Sequence, residues 1–393
     1  MGVAAPTSRL AAVLAIAIVF WVCAGLIVWT HAAYGIVVAG LARLHRRRVA
    51  AADIVPNVLV VVAAYNEATV IERRLENLLA LDYPAEKLTI VVSSDASTDA
   101  TNDIVARIAE REPRVHLLVH ERGGKIQAQD KAVRAFGADV EVLAFSDANC
   151  TWAPDALRLL VRPLADPSVG YVCGRLAILD ADGINKEGAY WRYEMWLRAN
   201  ESAIGSVTGG NGSIYAVRRD AYIEVHPSMG HDLSFPYRMV QNGFRAVYEP
   251  AAVASEKPSK DTEEEYRRKV RMFEHCWLIV LRGKMLRRLP PLYWVAIVSH
   301  RHLRYLTGLL HLAALGANLA LVVGDSGATI YWVTLAAQLG AGALALLGKA
   351  RVRVPFAALA WYYTLISWAT TKALVNYLRR GVPATWEAAQ GTR

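Results

Sequence analysis

Two short acidic motifs are the parts of this sequence best suited to chemistry. SDASTD covers Ser94–Asp99 and SDAN covers Ser146–Asn149, and each follows a run rich in β-branched residues. Such runs indicate buried strands, so Asp95 and Asp147 are expected at strand ends. In open α/β sheets, ligands bind at the carboxyl ends of the strands. Parallel strands would place both carboxylates on one rim, although either aspartate alone is equally typical of a helix or turn cap.

The two motifs suit different tasks. Ser97 or Thr98 is expected to cap the helix that follows, which leaves Asp95 free to contact a ligand. A divalent cation held on a diphosphate takes hard oxygen ligands. Asp147 and Asn149 form an acid-x-amide triplet that meets this need, because an amide oxygen can assist a carboxylate. We therefore expect Mg²⁺ or Mn²⁺ at this triplet.

Alternating strands and helices surround the motifs and predict the sheet that positions them. The runs typical of strands are Val58–Ala64, Leu88–Ser94, Val115–Val119 and Val140–Ser146. The stretches typical of helices are Thr69–Leu81, Thr98–Arg111 and Lys125–Phe136. Nearly continuous apolar strands alternating with helices indicate a mostly parallel sheet covered on both faces. The predicted fold class is therefore α/β, of the doubly wound, Rossmann-like kind.

Four long runs without Asp, Glu, Lys or Arg predict helices that flank this sheet and cross a membrane. They are Ala11–Ala42, Tyr305–Gly324, Ser326–Gly348 and Val354–Thr371. About 20 apolar residues span a hydrocarbon core roughly 30 Å thick. The first run is longer than the apolar part of a secretory signal peptide, and its charge cluster follows it. We therefore interpret the first run as a retained anchor.

The excess positive charge, +9 at neutral pH, lies beside the membrane runs. Arg43 and Arg46–Arg48 follow the first run, whereas Arg9 precedes it. By the positive-inside rule, the amino terminus lies outside and the segment after Arg43 is cytoplasmic. These residues favour contact with membrane lipids and form no stripe typical of nucleic-acid binding. The four cysteines lack metal-ligand spacing and predict reduced thiols.

Six motifs in order resemble those of family 2 glycosyltransferases. They are VVAAYNE (Val61–Glu67), SDASTD, GGK (Gly123–Lys125), SDAN, TGGNGSIYAVRR (Thr208–Arg219) and HDLSFPYRMVQNGFR (His231–Arg245). With flanking membrane runs, the chain is similar to the membrane synthases of cellulose, chitin and hyaluronan and their smaller bacterial relatives. The resemblance covers about Val58 to Met272 and implies the GT-A variant of the Rossmann-like fold.

The resemblance also implies a role for each matching residue. The implied donor-binding residues are Ala64, Tyr65, Glu67, Asp95, Lys125, Asp147, Arg268 and Arg271. Asp147, helped by Asn149, would bind the metal on the diphosphate. The residues that would shape the acceptor end of the pocket are Gly209, Gly210 and Asn211. Asp232 would be the general base, and His231 takes the place of the first acid of the family's paired-acid motif.

The basic stretch Tyr266–Leu289 is expected to form an amphipathic helix that lies in the membrane interface, or an ordinary helix that caps the sheet. Polymerising relatives carry a Gln or Arg, two residues, then Arg-Trp on this helix. Arg268 and Arg271 fit that pattern, but Met272 replaces the tryptophan. The replacement weakens a prediction of processive synthesis, and two basic residues facing lipid headgroups are the alternative.

Four segments follow from these patterns. Residues 1–48 form an amino-terminal transmembrane helix and residues 49–262 a cytoplasmic GT-A catalytic domain. Residues 263–304 form amphipathic interfacial helices, and residues 305–393 form transmembrane helices and a tail. Four spans would place the carboxyl terminus outside, whereas Arg379, Arg380 and the Trp386–Glu387 pair favour the cytoplasm. Either one run is re-entrant, or Leu292–Ser299 also enters the bilayer.

The predicted function is inverting sugar transfer from a nucleotide-sugar donor, a UDP-sugar by family default, to a growing polysaccharide at the cytoplasmic side of the plasma membrane. The first alternative is a non-processive enzyme that adds one sugar to a lipid-linked or glycan acceptor. The second is a membrane transporter or receptor with a nucleotide-sensing domain. Few ionisable residues lie in the runs beyond His31 and His311, which disfavours transport.

Overall fold

The computed structural model describes residues 6–179, 188–257, 262–324 and 328–382. These residues fall into two compact units, each considered by itself. An α/β unit comprises mainly Val38–Arg268 and Leu278–Ile297, and a helical unit comprises mainly the first 37 residues, Lys269–Trp277 and Val298–Arg380. Trp386 and Glu387, which entered the prediction for the carboxyl terminus, lie outside the described residues.

The α/β unit is built on one eight-stranded mixed sheet. In chain order the strands are β1 (Val58–Ala64), β2 (Leu88–Asp95), β3 (Val115–His120), β4 (Val142–Asp147), β5 (Thr151–Trp152), β6 (Val169–Ile178), β7 (Tyr215–Arg218) and β8 (Arg245–Glu256). Their spatial order is β3-β2-β1-β4-β7-β6-β8-β5. Strands β3, β2, β1 and β4 are mutually parallel, β7 runs antiparallel to both its neighbours, and β8 is parallel to β6.

Thirteen α-helices are described in the two units together. In chain order they are α1 (Pro6–Val28), α2 (Tyr34–Leu44), α3 (Ile71–Leu79), α4 (Thr101–Ala109), α5 (Lys125–Phe136), α6 (Ala156–Val161), α7 (Ala189–Ile204), α8 (His231–Gln241), α9 (Thr262–Arg282), α10 (Pro291–Ile297), α11 (Leu303–Val323), α12 (Thr329–Lys349) and α13 (Ala357–Arg380).

The parallel half of the sheet places the two acidic motifs on one rim, as the sequence predicts. All seven residues of β1 are buried, as expected for a strand covered on both faces. Ala63 of β1 is in register with Asp147 of β4 on one side and with Ser93 of β2 on the other. Asp95 therefore ends its strand two residues past Ser93 on the same rim.

The predicted cap of helix α4 is wrong. The helix begins at Thr101, and Asp99 accepts hydrogen bonds from the Thr101 backbone N–H at 3.0 Å and from its hydroxyl. Thr98 instead donates its backbone N–H to the Asn66 side chain, and Ser97 contacts the Ser94 hydroxyl. A carboxylate is favoured over a hydroxyl at a helix amino terminus because it also interacts with the positive end of the helix dipole.

Three helical segments are long and apolar enough to cross a membrane: Arg9–Leu44, Pro291–Val323 and Thr329–Lys349. The second segment begins well before the predicted run, because α10, a π-helical turn and α11 are continuous. The fourth predicted run lies in α13, which carries Lys372 and two terminal arginines and is not among the three. Of the described residues, three rather than four predicted spans are thus supported.

Helix α9 ends earlier than the sequence pattern predicts, at Arg282 instead of before Pro290. Within the helical unit its middle packs on α13. Trp277 donates its indole N–H to the Thr370 carbonyl at 2.9 Å, and Glu274 accepts hydrogen bonds from Asn376 and Arg380. This part of the amphipathic face is therefore occupied by protein contacts.

Candidate active site

Two carboxylates meet at one hydroxyl on the rim of the sheet. Asp147 is the last residue of β4 and Glu256 the last residue of β8. The Ser213 hydroxyl lies 3.1 Å from Asp147 Oδ2 and also contacts Glu256 Oε1. One hydroxyl has one proton to donate, so the two carboxylates compete for it. The pair of carboxylates would therefore be stabilised by a nearby cation. Glu256 was not predicted from the sequence.

Burial raises the pKa of Glu256, and the neighbouring Asp147 raises it further. A carboxylate in this environment gains from a nearby cation, which would favour its ionised form. The environment of Glu256 thus supports binding of a positively charged group between the two acids.

Lys125 supplies one such charge. It is the first residue of α5 and follows Gly124, whose φ of +92° suits glycine. Its ammonium group pairs with Asp147 Oδ1. Burial alone would lower the pKa of Lys125, but Asp147, and then Asp232 and Glu256, raise it above its usual value. Lys125 is therefore charged and lies within the electrostatic reach of all three acids.

The donor set fits a divalent cation carried by a diphosphate. Among the described residues, no three His, Cys, Asp or Glu side chains are grouped closely enough to hold a metal alone. Asp147 and Glu256 offer hard oxygen ligands, and the half-buried Asn149 lies on the turn after β4. Mg²⁺-type sites commonly use one or two carboxylates with phosphate oxygens and water as the remaining ligands. A cation would thus need the diphosphate to complete its shell.

Asp95 holds the glycine loop and is not free, contrary to the sequence prediction. It is 1% exposed, and its Oδ1 accepts the N–H of Gly123 at 2.6 Å. Its Oδ2 accepts the N–H of Gly124 at 3.0 Å and an Arg122 N–H at 3.1 Å. The carboxylate therefore fixes the loop that carries Lys125, and its direct contact with a donor stays a prediction.

Arg122 and Tyr65 form a flat surface beside this loop. The Arg122 guanidinium carbon lies 3.2 Å from the centroid of the Tyr65 ring. A guanidinium that stacks on an aromatic ring and is anchored by a carboxylate, here Asp95, has a defined orientation. The paired planes suit stacking against a nucleobase. Arg122 was not among the residues that the sequence indicated.

The other predicted residues at the end of β1 are mostly enclosed. Ala64 is 1% and Glu67 4% exposed. The Glu67 backbone N–H donates to the Thr101 hydroxyl at 2.8 Å, and its carbonyl accepts from Val70 and Ile71 at the start of α3. In the described structure, Glu67 organises the turn through its backbone.

The predicted base, Asp232, is the second residue of α8 and is half-buried. Its backbone carbonyl accepts the Gly210 N–H at 2.5 Å, so the base and the predicted acceptor loop are tied together. A Cβ on Gly210 would lie 1.8 Å from the Tyr171 hydroxyl oxygen, which explains the glycine at this position.

His231, beside the predicted base, is buried in the α/β unit. It is 3% exposed, its ring stacks on Phe235 with centroids 3.9 Å apart, and its Nδ1 lies 2.8 Å from the Tyr215 hydroxyl. Burial, and then the charge of Lys125, lowers the pKa of His231 to about 3. A neutral aromatic residue therefore stands where the family's motif has its first acid.

The remaining predicted residues have differing surroundings. Asn211 is buried, accepts the Ser213 N–H at 3.1 Å and donates to the Gly174 carbonyl at 3.4 Å. Arg268 pairs with Glu265 at 2.9 Å, and its charge favours the ionised form of Glu256. Arg271 lies on the part of α9 that belongs to the helical unit. Of the two predicted arginines, only Arg268 belongs to the α/β unit that contains this site.

Comparisons with known proteins agree with this architecture. The model of glycosyl transferase family 2 matches residues 59–225. The poly-beta-1,6-N-acetyl-D-glucosamine synthase of Staphylococcus aureus (strain COL) is 24% identical over 209 residues, which are 51% of this chain and 50% of that protein. The probable glycosyltransferase YdaM of Bacillus subtilis (strain 168) is 24% identical over 249 residues, 58% of this chain and 57% of that protein. The chain thus spans about half the length of these relatives.

A solved structure matches nearly the whole chain. The mannosyltransferase PcManGT from Pyrobaculum calidifontis, in complex with GDP-Man and Mn²⁺, is 25% identical with a TM-score of 0.68. The match covers 92% of this chain and 99% of that one. The fold and the site therefore define a protein of the GT-A glycosyltransferase class. Residues 59–225 match the family 2 glycosyltransferase model, and the predicted resemblance to this family, the fold and the enzyme class are confirmed.

Proposed function

We propose that this protein transfers a sugar, with inversion, from a nucleoside diphosphate donor to a growing polysaccharide at the cytoplasmic face of the cell membrane. The observation that carries the proposal is the position of Lys125. Its ammonium group pairs with Asp147, and the negative charges of Asp147, Asp232 and Glu256 all raise its pKa. This arrangement combines a place for a diphosphate, a place for a divalent cation and a base within one site. The similarity to a polysaccharide synthase supports the acceptor.

Each residue has a task in a single displacement. Lys125 binds the diphosphate, and Asp147 and Glu256 would hold the divalent cation on it. Asp232 accepts the proton of the attacking acceptor hydroxyl. A bound Mg²⁺ or Mn²⁺ would supply charge stabilisation to the leaving diphosphate. Attack from the face opposite the leaving group inverts the anomeric carbon. The Tyr65–Arg122 surface stacks against the base of the donor.

Two donors are the leading candidates. A UDP-sugar is the donor most typical of the family, and the synthase relative makes a polymer of N-acetylglucosamine. A GDP-sugar is supported by the solved mannosyltransferase, which holds GDP-Man and matches this chain over nearly its full length. The planar Tyr65–Arg122 surface accepts either a pyrimidine or a purine ring, so the base must be measured.

A second candidate function is the addition of one sugar to a lipid-linked or glycan acceptor. Met272 stands where polymerising relatives carry tryptophan, so a ring that would stack beside the acceptor sugar is missing. Three supported spans also offer fewer helices for a polysaccharide channel than four. Both observations favour single addition over processive synthesis. A product that carries one added sugar would establish the second candidate.

The experiment is a transfer assay with the detergent-purified full chain. UDP-N-acetylglucosamine, GDP-mannose and other nucleotide-sugars would be compared, with Mg²⁺, with Mn²⁺ and with a chelator. We expect one donor to release its nucleotide only when a divalent cation is present, and product size then distinguishes polymer from single addition. Equal release in the chelator would contradict the metal-assisted centre at Asp147 and Glu256.

A further inference from the structure

A second cavity lies in the α/β unit, away from the proposed reaction centre. Its volume is about 600 Å³, and the residues that line it include Arg46, Arg47, Arg48, Ser202 and Glu249. The distance along β8 from Glu249 to Glu256 is seven residues, or roughly 23 Å at the usual rise of a strand. The cavity is therefore separate from the site that holds Asp147 and Glu256.

The cavity carries a surplus of positive charge at a fixed place. Three arginines and a single acidic residue, Glu249, line it, and Glu249 Oε1 accepts the Ala251 N–H at 3.0 Å. The backbone of the arginine run is held by the protein. Arg47 donates its N–H to the Ala203 carbonyl at 2.8 Å. The buried Arg245 guanidinium donates to the carbonyls of Arg47 and Arg48, both at 3.1 Å.

Position along the chain indicates which anion reaches the cavity. The apolar helical segment that includes α2 ends at Leu44, only two residues before Arg46. Residues this close to the end of a membrane span lie at the level of the lipid headgroups, where anionic lipids attract basic side chains. Arginine binds phosphate oxygens in a bidentate manner. The ligand with matching charge, chemistry and location is the phosphodiester of an anionic lipid.

The wall of the cavity is connected to the acceptor loop by hydrogen bonds. Ser202 on α7 lines the cavity and accepts the Tyr248 N–H at 2.9 Å. The adjacent Glu201, 1% exposed, accepts both the N–H and the hydroxyl of Thr208 at 3.2 and 3.0 Å. Thr208 begins the TGGNG loop whose Gly210 is bonded to Asp232. A ligand that fixes α7 would therefore also fix the loop beside the base.

We propose that this cavity binds the phosphate group of an anionic lipid and thereby stabilises the active arrangement of the acceptor loop. The effect on catalysis rests on the proposed sugar transfer, whereas lipid binding does not. Binding and activity are therefore measured separately.

The test uses the full chain in nanodiscs of phosphatidylcholine, with or without phosphatidylglycerol, and counts retained lipid by native mass spectrometry. Ala199→Glu places a negative charge on the exposed wall of the cavity without altering the arginines that direct membrane insertion. We expect it to weaken phosphatidylglycerol retention by roughly fivefold, since one charge near the surface is worth about 1 kcal/mol. Glu249→Gln should strengthen retention by a similar factor. Ala106→Glu, on the exposed face of α4, is the matched control and should leave retention unchanged.

Two results would overturn lipid binding, and a third would overturn only its effect on the acceptor loop. Equal phosphatidylglycerol retention by wild type, Ala199→Glu and Glu249→Gln would show that the cavity does not bind the lipid. Saturation of the purified chain by inorganic phosphate, with no lipid retained, would show that the ligand is a soluble anion. Retention that depends on the cavity, with no change in transfer rate, would overturn the link to the acceptor loop alone.

Discussion

The carboxylate of Glu256 changes the chemistry expected around Asp147. From the sequence, Asp147 and Asn149 were the expected metal ligands, and nothing marked a glutamate more than a hundred residues later. The sheet brings β4 and β8 to the same rim through β7 and β6, and the Ser213 hydroxyl then joins the two acids. This pairing depends on the order of the strands in the sheet, which local sequence patterns do not predict.

His231 shows a similar limit at the scale of one residue. The motif placed it correctly before Asp232, but its burial depends on Phe235, Tyr215 and other rings packed around it. With a pKa of about 3 in the folded protein and near 6.5 when unfolded, His231 takes up a proton on unfolding in mild acid. Its contribution to stability is complete above pH 6.5 and is lost as the pH falls towards 3.

Replacement of His231 by Gln is therefore predicted to change the pH dependence of stability. Between pH 7 and pH 5 the wild type should lose about 2 kcal/mol more than His231→Gln, because glutamine has no proton to gain. Thermal unfolding of both proteins in detergent across this range measures the difference. Parallel pH curves for the two proteins would contradict a buried neutral histidine.

At the scale of elements, the parallel half of the sheet was the most predictable part. Continuous β-branched runs gave β1 with its observed bounds, and β2, β3 and β4 to within two residues at either end. Strands β6, β7 and β8 were not predicted. Strand β7 is only four residues long, and β6 and β8 contain a register shift or polar positions that weaken the apolar pattern.

The loop between α7 and β7, which carries Gly210, gives a prediction at this scale. Gly210→Ala should place a methyl group against the Tyr171 hydroxyl, move the loop from Asp232 and lower kcat/KM, by about a hundredfold for a misplacement near 1 Å. The double variant Gly210→Ala, Tyr171→Phe removes the nearest atom and should recover part of the loss. Gly188→Ala is the control, since nothing lies within 4 Å of its added Cβ. No recovery in the double variant would contradict this steric account.

For the whole molecule, a chain with three membrane spans instead of four would agree with the positive charges at the end of α13. With the amino terminus outside, an odd number of spans returns the chain to the cytoplasm after Lys349. The two arginines that end α13 are then on the favoured side. The uncharged runs alone did not predict three spans, because they do not show where each helix begins and ends. The second helical segment begins at Pro291, and the fourth run lies in a helix that continues to Arg380.

The orientation can be measured by labelling introduced cysteines in intact cells. Ser8→Cys, near the amino terminus, should react with a membrane-impermeant maleimide, and Arg380→Cys should react only after lysis. The background is a chain whose four cysteines are replaced. Labelling of Arg380→Cys in intact cells would instead support a fourth span.

The central claim is that Asp232 removes the acceptor proton next to a separate diphosphate-binding centre. The most direct test compares sugar transfer and donor binding in Asp232→Asn and in Asp103→Asn, an exposed aspartate on α4. We predict that Asp232→Asn loses transfer by about a hundredfold to ten-thousandfold while it still binds the donor, because only proton transfer is removed. Asp103→Asn should behave as the wild type. Full transfer by Asp232→Asn would contradict the account.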